Sequence, residues 1–179
     1  IVTKDRVVKT DFDVLGMGNA LMDVIVPVKD DFITEQAMEK GSMTLIDNDR
    51  LAVLGEAFNG LSDDTQEIAG GSAANTMVGI AKMGVRTAYL AKIAEDGVGD
   101  RLAQGYAEAG LNFRSERSTS GAPTGQCLIA VTNDGERTMN TCLGASPEFS
   151  KADVNKDDIE RSGTLYMEGY LFDTDEQKG

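Results

Sequence analysis

A chain of 179 residues with 41% apolar composition is long and apolar enough to bury the core of one globular domain. Its net charge of −13, from 30 acidic against 17 basic residues, disfavours nucleic acid or an anionic membrane surface as partner and points to a small molecule. With no histidine and only Cys127 and Cys142 as cysteines, neither a disulfide framework nor a zinc site is expected, and imidazole-based nucleophilic triads are excluded, leaving carboxylates and lysines as candidate bases.

No apolar run nears the ~20 residues that span a bilayer, and the polar opening from Ile1 to Asp13 is unlike a signal peptide, so a cytoplasmic location is expected. From Val14 to Val28 the chain is rich in apolar and β-branched residues and stays extended until Pro27, which predicts a strand pair or one long bent strand. Gly16 and Gly18 do not complete a dinucleotide fingerprint, because Leu21 stands where the third glycine belongs. Asn19 and Asp23 are an even number of residues apart and would share one strand face. There they either meet a ligand across roughly 13 Å or cap turns.

Phe32, Ile33 and Ala37 predict a helix over Asp30 to Lys40, stopped by Gly41, and Ser42 to Ile46 a short strand. Asp47-Asn48-Asp49 offers caps to a helix carrying Leu51, Leu54 and Phe58 on one stripe, closed near Gly60. Thr65 to Ala69 then reads as a strand ending at Gly70 and Gly71. A helix follows at once, with Ser72 at its start and Ala73, Met77, Ile80 and Ala81 on one face before Gly84. Arg86 to Ile93 is again strand-like, so this stretch predicts a βαβ unit and a parallel sheet.

The glycine pair carries the most specific chemistry. Residues without a Cβ let the backbone approach a ligand and turn with positive φ. The helix amides just beyond favour hydroxyl or anionic groups, and Asn75 in the first turn can both donate and accept. A helix-capping turn accounts equally well for Gly71 and Ser72. It does not account for Asn19, Asp23 and Asn75, polar groups costly to bury, lying in or beside apolar elements.

Further on, Glu95 to Asp100 reads as a turn in which Asp100 caps a helix from Arg101 to Ala109, ended by Gly110. Gln126 to Thr132 and Glu136 to Leu143, joined at Asn133-Asp134-Gly135, predict a β-hairpin forming a separate small sheet or flap. Lys156 to Arg161 suits a short helix, and Thr164 to Phe172 an apolar strand interrupted by Glu168. Asp173 to Gln177 carries the cap pattern that opens a helix, yet the chain stops at Gly179, which suggests a truncated chain.

Taken together, Gly18-Asn19-Ala20-Leu21-Met22-Asp23, Gly70-Gly71-Ser72-Ala73-Ala74-Asn75-Thr76, Glu95-Asp96-Gly97-Val98-Gly99-Asp100, Pro123-Thr124-Gly125 and Glu168-Gly169-Tyr170 resemble, in order, the N-terminal half of the PfkB, or ribokinase-like, carbohydrate kinase family. The likeness covers nearly all of Asp11 to Phe172. Within the family, Pro123-Thr124-Gly125-Gln126-Cys127 and Arg137-Thr138-Met139 look most like adenosine kinase and related nucleoside and sugar kinases.

The resemblance implies a three-layer α/β/α sandwich with a small β-sheet lid, cut after its N-terminal half, with lid strands near 24–28, 42–46 and 124–143. It implies that Asp23 holds ribose hydroxyls while Asn19, Gly70, Gly71, Ser72 and Asn75 complete the polar floor of the pocket, with the glycine pair as lid hinge. Cys127 and Leu143 either contact the base or sugar from the lid or pack as lid core, and Arg137 reaches a phosphate once the lid closes. Glu168 matches a sugar-contacting acid of ribokinase-like members, which keeps a plain sugar substrate open.

The family reaction transfers the ATP γ-phosphoryl group to a sugar hydroxyl with Mg2+, using an Asp in a Gly-Ala-Gly-Asp segment and an Asn-x-x-Glu motif. The Gly-Ala-Gly-Asp segment does not occur in this sequence, the Asn-x-x-Glu spacing occurs only at Asn133-Asp134-Gly135-Glu136 within the expected hairpin turn, and no Gly-x-x-x-x-Gly-Lys loop replaces them. The expectation is a kinase parent whose catalytic residue and metal ligands lie outside this chain, the chain alone being inactive. The alternative is a non-catalytic nucleoside- or sugar-binding module. The family lid also forms dimers in some members, and a half-sheet with an open edge could associate through that edge.

Overall fold

A computed structural model of the protein describes residues 10–172. The helix-opening pattern from Asp173 to Gln177 lies outside the described residues. In chain order the elements are β1 (Phe12–Met17), β2 (Leu21–Pro27), α1 (Asp30–Glu35), β3 (Met43–Leu45), α2 (Asn48–Phe58), β4 (Gln66–Gly70), α3 (Ser72–Lys82), β5 (Thr87–Leu90), α4 (Gly97–Glu108), β6 (Asn112–Phe113), β7 (Gln126–Val131), β8 (Arg137–Cys142), α5 (Lys156–Glu160) and β9 (Ser162–Met167). Short 3-10 turns at Ser146–Glu148, Lys151–Asp153 and Gly169–Phe172 complete them.

These strands form two sheets. One is parallel, in the order β6-β5-β1-β9. The other is mixed, in the order β3-β8-β7-β2-β4, with β2 parallel to β7, β3 parallel to β8, and the β2–β4 and β7–β8 pairs antiparallel. The hairpin of β7 and β8 turns through Asp134 and Gly135 as its residue types demand, Gly135 taking φ 83°.

The run from Val14 to Val28 is therefore two strands in two sheets. The chain leaves β1 at Gly18, where a Cβ would stand 2.6 Å from the Ala73 Cβ, and crosses through Asn19 and Ala20 into β2. Asn19 and Asp23 thus do not share a strand face. The expected βαβ unit is also corrected: β4 belongs to the mixed sheet, antiparallel to β2, so the crossover preceding β5 starts from β1 and encloses the whole first part of the lid. Hydrophobic pattern identifies a strand but not its partner, and here the partner is set by the long-range register of β2.

Three apolar cores hold these layers. Helices α3 and α4 cover one face of the parallel sheet, burying Met77, Tyr89, Leu102, Tyr106 and Leu111, with Met22 of the lid joining them. Tyr89 and Tyr106 meet edge-on at 5.7 Å between ring centroids, a geometry that suits their quadrupoles. Beneath the mixed sheet, α1 and α2 enclose Val26, Ile33, Leu54, Phe58 and Leu128. On the opposite face of the parallel sheet, Leu15, Met17, Leu90, Phe149 and Leu171 form the third core.

Local differences from the sequence reading have simple causes. Helix α1 ends at Glu35 rather than running to Lys40, and Ala37 takes φ 49° in the turn that follows. Asp96, not Asp100, caps α4, and Asp100 pairs with Arg117 at 3.0 Å. The last strand stops at Met167, and Glu168 sits at the break, where its backbone carbonyl accepts from the Leu171 amide as the chain turns.

Candidate functional site

Ligands of open parallel sheets bind beyond the carboxyl ends of the strands. In this chain β1 and β9 end at Met17 and Met167, so Gly18, Asn19 and Glu168 lie at that rim, and the mixed sheet rises from it as a lid. The lid register brings Ile68, Asp23, Cys127, Thr141 and Leu45 into one cross-strand row. This is the face opposite Met22, Val24, Val26 and Leu128, which pack into the cores.

Asp23 is the charged group of that row. A Cβ at Gly70 would lie 2.5 Å from Asp23 Oδ2, so the glycine is what lets the carboxylate lie against the neighbouring strand. Burial raises the Asp23 carboxyl above its usual range, and the nearby positive charge of Arg137 opposes that rise. Arg137 itself is exposed at the start of β8.

Cys127, beside Asp23, is 5% exposed and its Sγ accepts from Thr141 Oγ1 at 3.2 Å. Burial pushes its thiol up to about 11. The thiol is therefore protonated near neutrality, and alkylation by iodoacetamide at pH 8 should run roughly a hundredfold slower in the folded protein than after denaturation. Comparable rates, read by mass spectrometry of the Cys127 peptide, would contradict this placement.

The two crossings between body and lid are held by side chains from the body. Gly71 has φ 103°, and a Cβ there would stand 2.3 Å from the Asn19 carbonyl oxygen, so the crossings touch backbone to backbone. Tyr89 donates its hydroxyl to Asn19 O at 2.9 Å, Tyr106 to Gly70 O at 2.6 Å, and Ser146 to Ala20 O at 3.0 Å. Glu168 Oε1 accepts from the Asn19 amide and Oε2 from the Ala73 amide at 3.0 Å. Burial raises the Glu168 carboxyl above its usual range, and those two amide bonds offset only part of the rise.

A third contact point anchors β7. Asp96 accepts from the Gly99 amide at 2.7 Å and from both the amide and the hydroxyl of Thr124 at 2.8 Å. Burial works against its charge, but the bonds from Thr124 and Gly99 outweigh it and hold the carboxyl below its usual range.

The residues singled out from the sequence thus divide. Asp23, Gly70, Cys127 and Arg137 come together on or beside the lid face. Asn19 and Gly71 meet at the crossings, Asn19 being buried. Ser72 and Asn75 lie in the first turn of α3 and both are exposed, which corrects the reading of Asn75 as a group buried at a cost. Leu143, just past β8, lines a groove of about 250 Å³ together with Leu45 and Thr141, on the side of the lid away from β4.

Sequence reasoning missed Tyr89, Tyr106, Asp96, Thr124 and Ser146. Tyr89, inside an apolar run, was a usable signal, because a buried phenol needs a partner. So was Asp96, three residues before Gly99, at the spacing of a helix cap.

ATP and Mg2+, implied by the resemblance, find no fit among the described residues. A Cβ at Gly16 would meet the Met77 side chain at 2.5 Å, and one at Gly18 the Glu168 carboxyl at 2.6 Å, so these glycines close on protein rather than cradling phosphate. Among the described residues no three His, Cys, Asp or Glu side chains cluster to hold a metal ion. No step through either group is assigned to this chain. Among the described residues, no helix is long and apolar enough to cross a membrane.

Residues 41–178 match the family described as pfkB family carbohydrate kinase. The chain belongs to the PfkB family. It is 27% identical over 166 residues to adenosine kinase 2 of Arabidopsis thaliana, covering 88% of this chain and 47% of that protein. Among solved structures it is similar to adenosine kinase from Sinorhizobium meliloti, at 39% identity and TM-score 0.81, covering 93% of this chain and 50% of that one. A probable sugar kinase from Rhizobium etli CFN 42 matches at 37% identity and TM-score 0.83, covering 94% and 50%. The fold is the ribokinase-like α/β fold of the PfkB kinases, and the chain spans about half the length of these relatives.

Proposed function

We propose that the full-length protein phosphorylates a hydroxyl of an adenosine-like nucleoside or of a sugar, using ATP and Mg2+ in the cytoplasm, and that this chain supplies the substrate side and the lid. The observation that carries the reading is Asp23, an acid held half-buried against Gly70 on the lid face above the ends of the parallel strands. A carboxylate there can accept from two vicinal hydroxyls at once. The ribose would lie between Asp23 and the start of α3, with Ser72 and Asn75 as exposed polar groups opposite and the backbone of Gly70 and Gly71 beneath. Cys127 flanks the sugar or base, Leu143 borders it, and Arg137 swings onto a phosphate when the lid closes.

Two experiments test the reading. The full-length protein, offered ATP and a panel of nucleosides and sugars, is expected to phosphorylate at least one; no transfer across the panel would overturn the kinase assignment. The 179-residue chain is expected to bind adenosine or ribose by calorimetry and to show neither ATP binding nor turnover. Gly16 and Gly18 close on protein, and the reading for the chain by itself is a substrate-binding module.

Asn75→Ala should weaken nucleoside or sugar binding about tenfold, the worth of a hydrogen bond or two, while shifting stability by no more than about 0.5 kcal/mol, because Asn75 is exposed. Unchanged affinity would remove Asn75 from the site. The same lid face carries Ile68 and Leu45 at 46% and 62% exposure, and we propose it also as the surface of a homodimer in the full-length protein.

A further inference from the structure

The sequence resemblance places Glu168 on the sugar, but its surroundings assign it other work. Glu168 is 6% exposed, and its two oxygens are directed to two backbone amides, one in the first crossing and one just past the second. Asn19 begins the crossing from β1 into β2, and Ala73 lies in the first turn of α3, directly after the crossing from β4. A Cβ at Gly18 would fall 2.6 Å from both the Ala73 Cβ and the Glu168 carboxyl carbon, so the carboxylate is enclosed on that side as well.

We infer that Glu168 is a positioning residue, whose carboxylate ties the two crossings together and so sets the lid carrying Asp23 against the helix start carrying Asn75. Two amides that share one carboxylate cannot separate without leaving a buried charge short of its partners. Asn19 leads into the strand of Asp23, and Ala73 is in the same helical turn as Asn75, so one side chain fixes the spacing of the two groups between which the substrate is proposed to lie. This inference rests on the proposed substrate site. Its consequence differs from that of a sugar-gripping acid, because misplacing the lid weakens every ligand of the site, including those lacking either ribose hydroxyl, whereas losing a direct contact weakens only ligands that carry the contacted hydroxyl.

The test uses Glu168→Gln in the full-length protein, a near-isosteric change that turns one acceptor into a donor facing a donor. Without ligand, amide hydrogen exchange at Asn19 and Ala73 is expected to rise at least about tenfold while that of Leu102, within α4, stays unchanged. Affinities for adenosine, 2′-deoxyadenosine and 3′-deoxyadenosine are all expected to fall, adenosine about tenfold and the two deoxynucleosides, each with one hydroxyl fewer to offer Asp23, by a smaller factor. Unchanged exchange at Asn19 and Ala73, a rise spread over α4 as well, or a loss of affinity confined to nucleosides keeping one hydroxyl would each overturn the inference. Should the Gln variant not fold, Glu168→Asp decides by the same exchange measurement: its carboxylate is one methylene short, a smaller rise at both amides is expected, and no rise overturns the proposal. Failure of the wild-type protein to bind any of the three nucleosides would count against the proposed substrate and leave the exchange result to be judged by itself.

Discussion

Replacing Asp23 with Asn is expected to weaken nucleoside or sugar binding by the full-length protein roughly a hundredfold, while the melting temperature stays at or above that of the wild type. The two halves of this expectation come from one fact. Hydrogen bonds to a charged acceptor contribute about 1.5–3 kcal/mol each, so losing the charge beneath two hydroxyls costs about 3 kcal/mol of binding. In the ligand-free protein, however, burial raises the Asp23 carboxyl above its unfolded value, which means that the charged form is disfavoured in the fold.

The sign follows from proton linkage. A carboxyl with a raised folded pKa gives its stabilising contribution below its unfolded pKa and loses it as pH rises through the folded value, so at neutral pH the charge is a burden to the fold. Asn removes the burden together with the proposed grip on the hydroxyls. Ligand binding by the wild type should accordingly fall as pH drops through a value above the ordinary aspartate range, and Asp23→Asn should flatten that dependence. A variant that binds as tightly as the wild type, or one that melts several degrees lower, would remove Asp23 from the role proposed for it.

Gly71→Ala should destabilise the protein by at least about 3 kcal/mol, lowering its melting temperature by roughly 8 °C. Two costs add. A φ of 103° is a conformation that L-residues rarely adopt, and the added Cβ would stand 2.3 Å from the Asn19 carbonyl oxygen. That carbonyl cannot simply retreat, since Tyr89 holds it at 2.9 Å and Glu168 holds the amide of the same residue. Gly60→Ala is the control: φ is 74° there but nothing lies within 4 Å of the added Cβ, so a loss of about 1 kcal/mol is expected. Equal losses at the two positions, measured by chemical denaturation, would show that the close approach of the crossings contributes nothing.

Much of the lid was legible before the structure. The hairpin signal Asn133-Asp134-Gly135 between two β-rich runs names its own partners, because a short turn leaves the flanking strands no other register. The helix stripe of Leu51, Leu54 and Phe58, capped by Asp47, was equally plain. By contrast, β4 resembles any strand that leads into a helix, and nothing local reveals that it pairs with β2 rather than joining the parallel sheet. Asn19 reads as a strand residue by composition and is instead a crossing, because Gly18 and the neighbouring crossing at Gly71 bend the chain there.

What the sequence determined by itself was the chemistry available: an acidic chain without histidine, two glycines before a helix, an isolated acid in an apolar strand, and an ordered motif set that identified the family. These are properties of residue type and spacing, and they do not depend on packing. Only the tertiary structure decided which partners each group meets. Asp23 faces the open side of the lid and Glu168 faces two backbone amides, although both are single acids set in apolar stretches. Which of the two has its oxygens engaged by backbone amides depends on partners far away in the chain, Glu168 lying 149 residues from Asn19 and 95 from Ala73, and separations of that size leave no trace in local pattern.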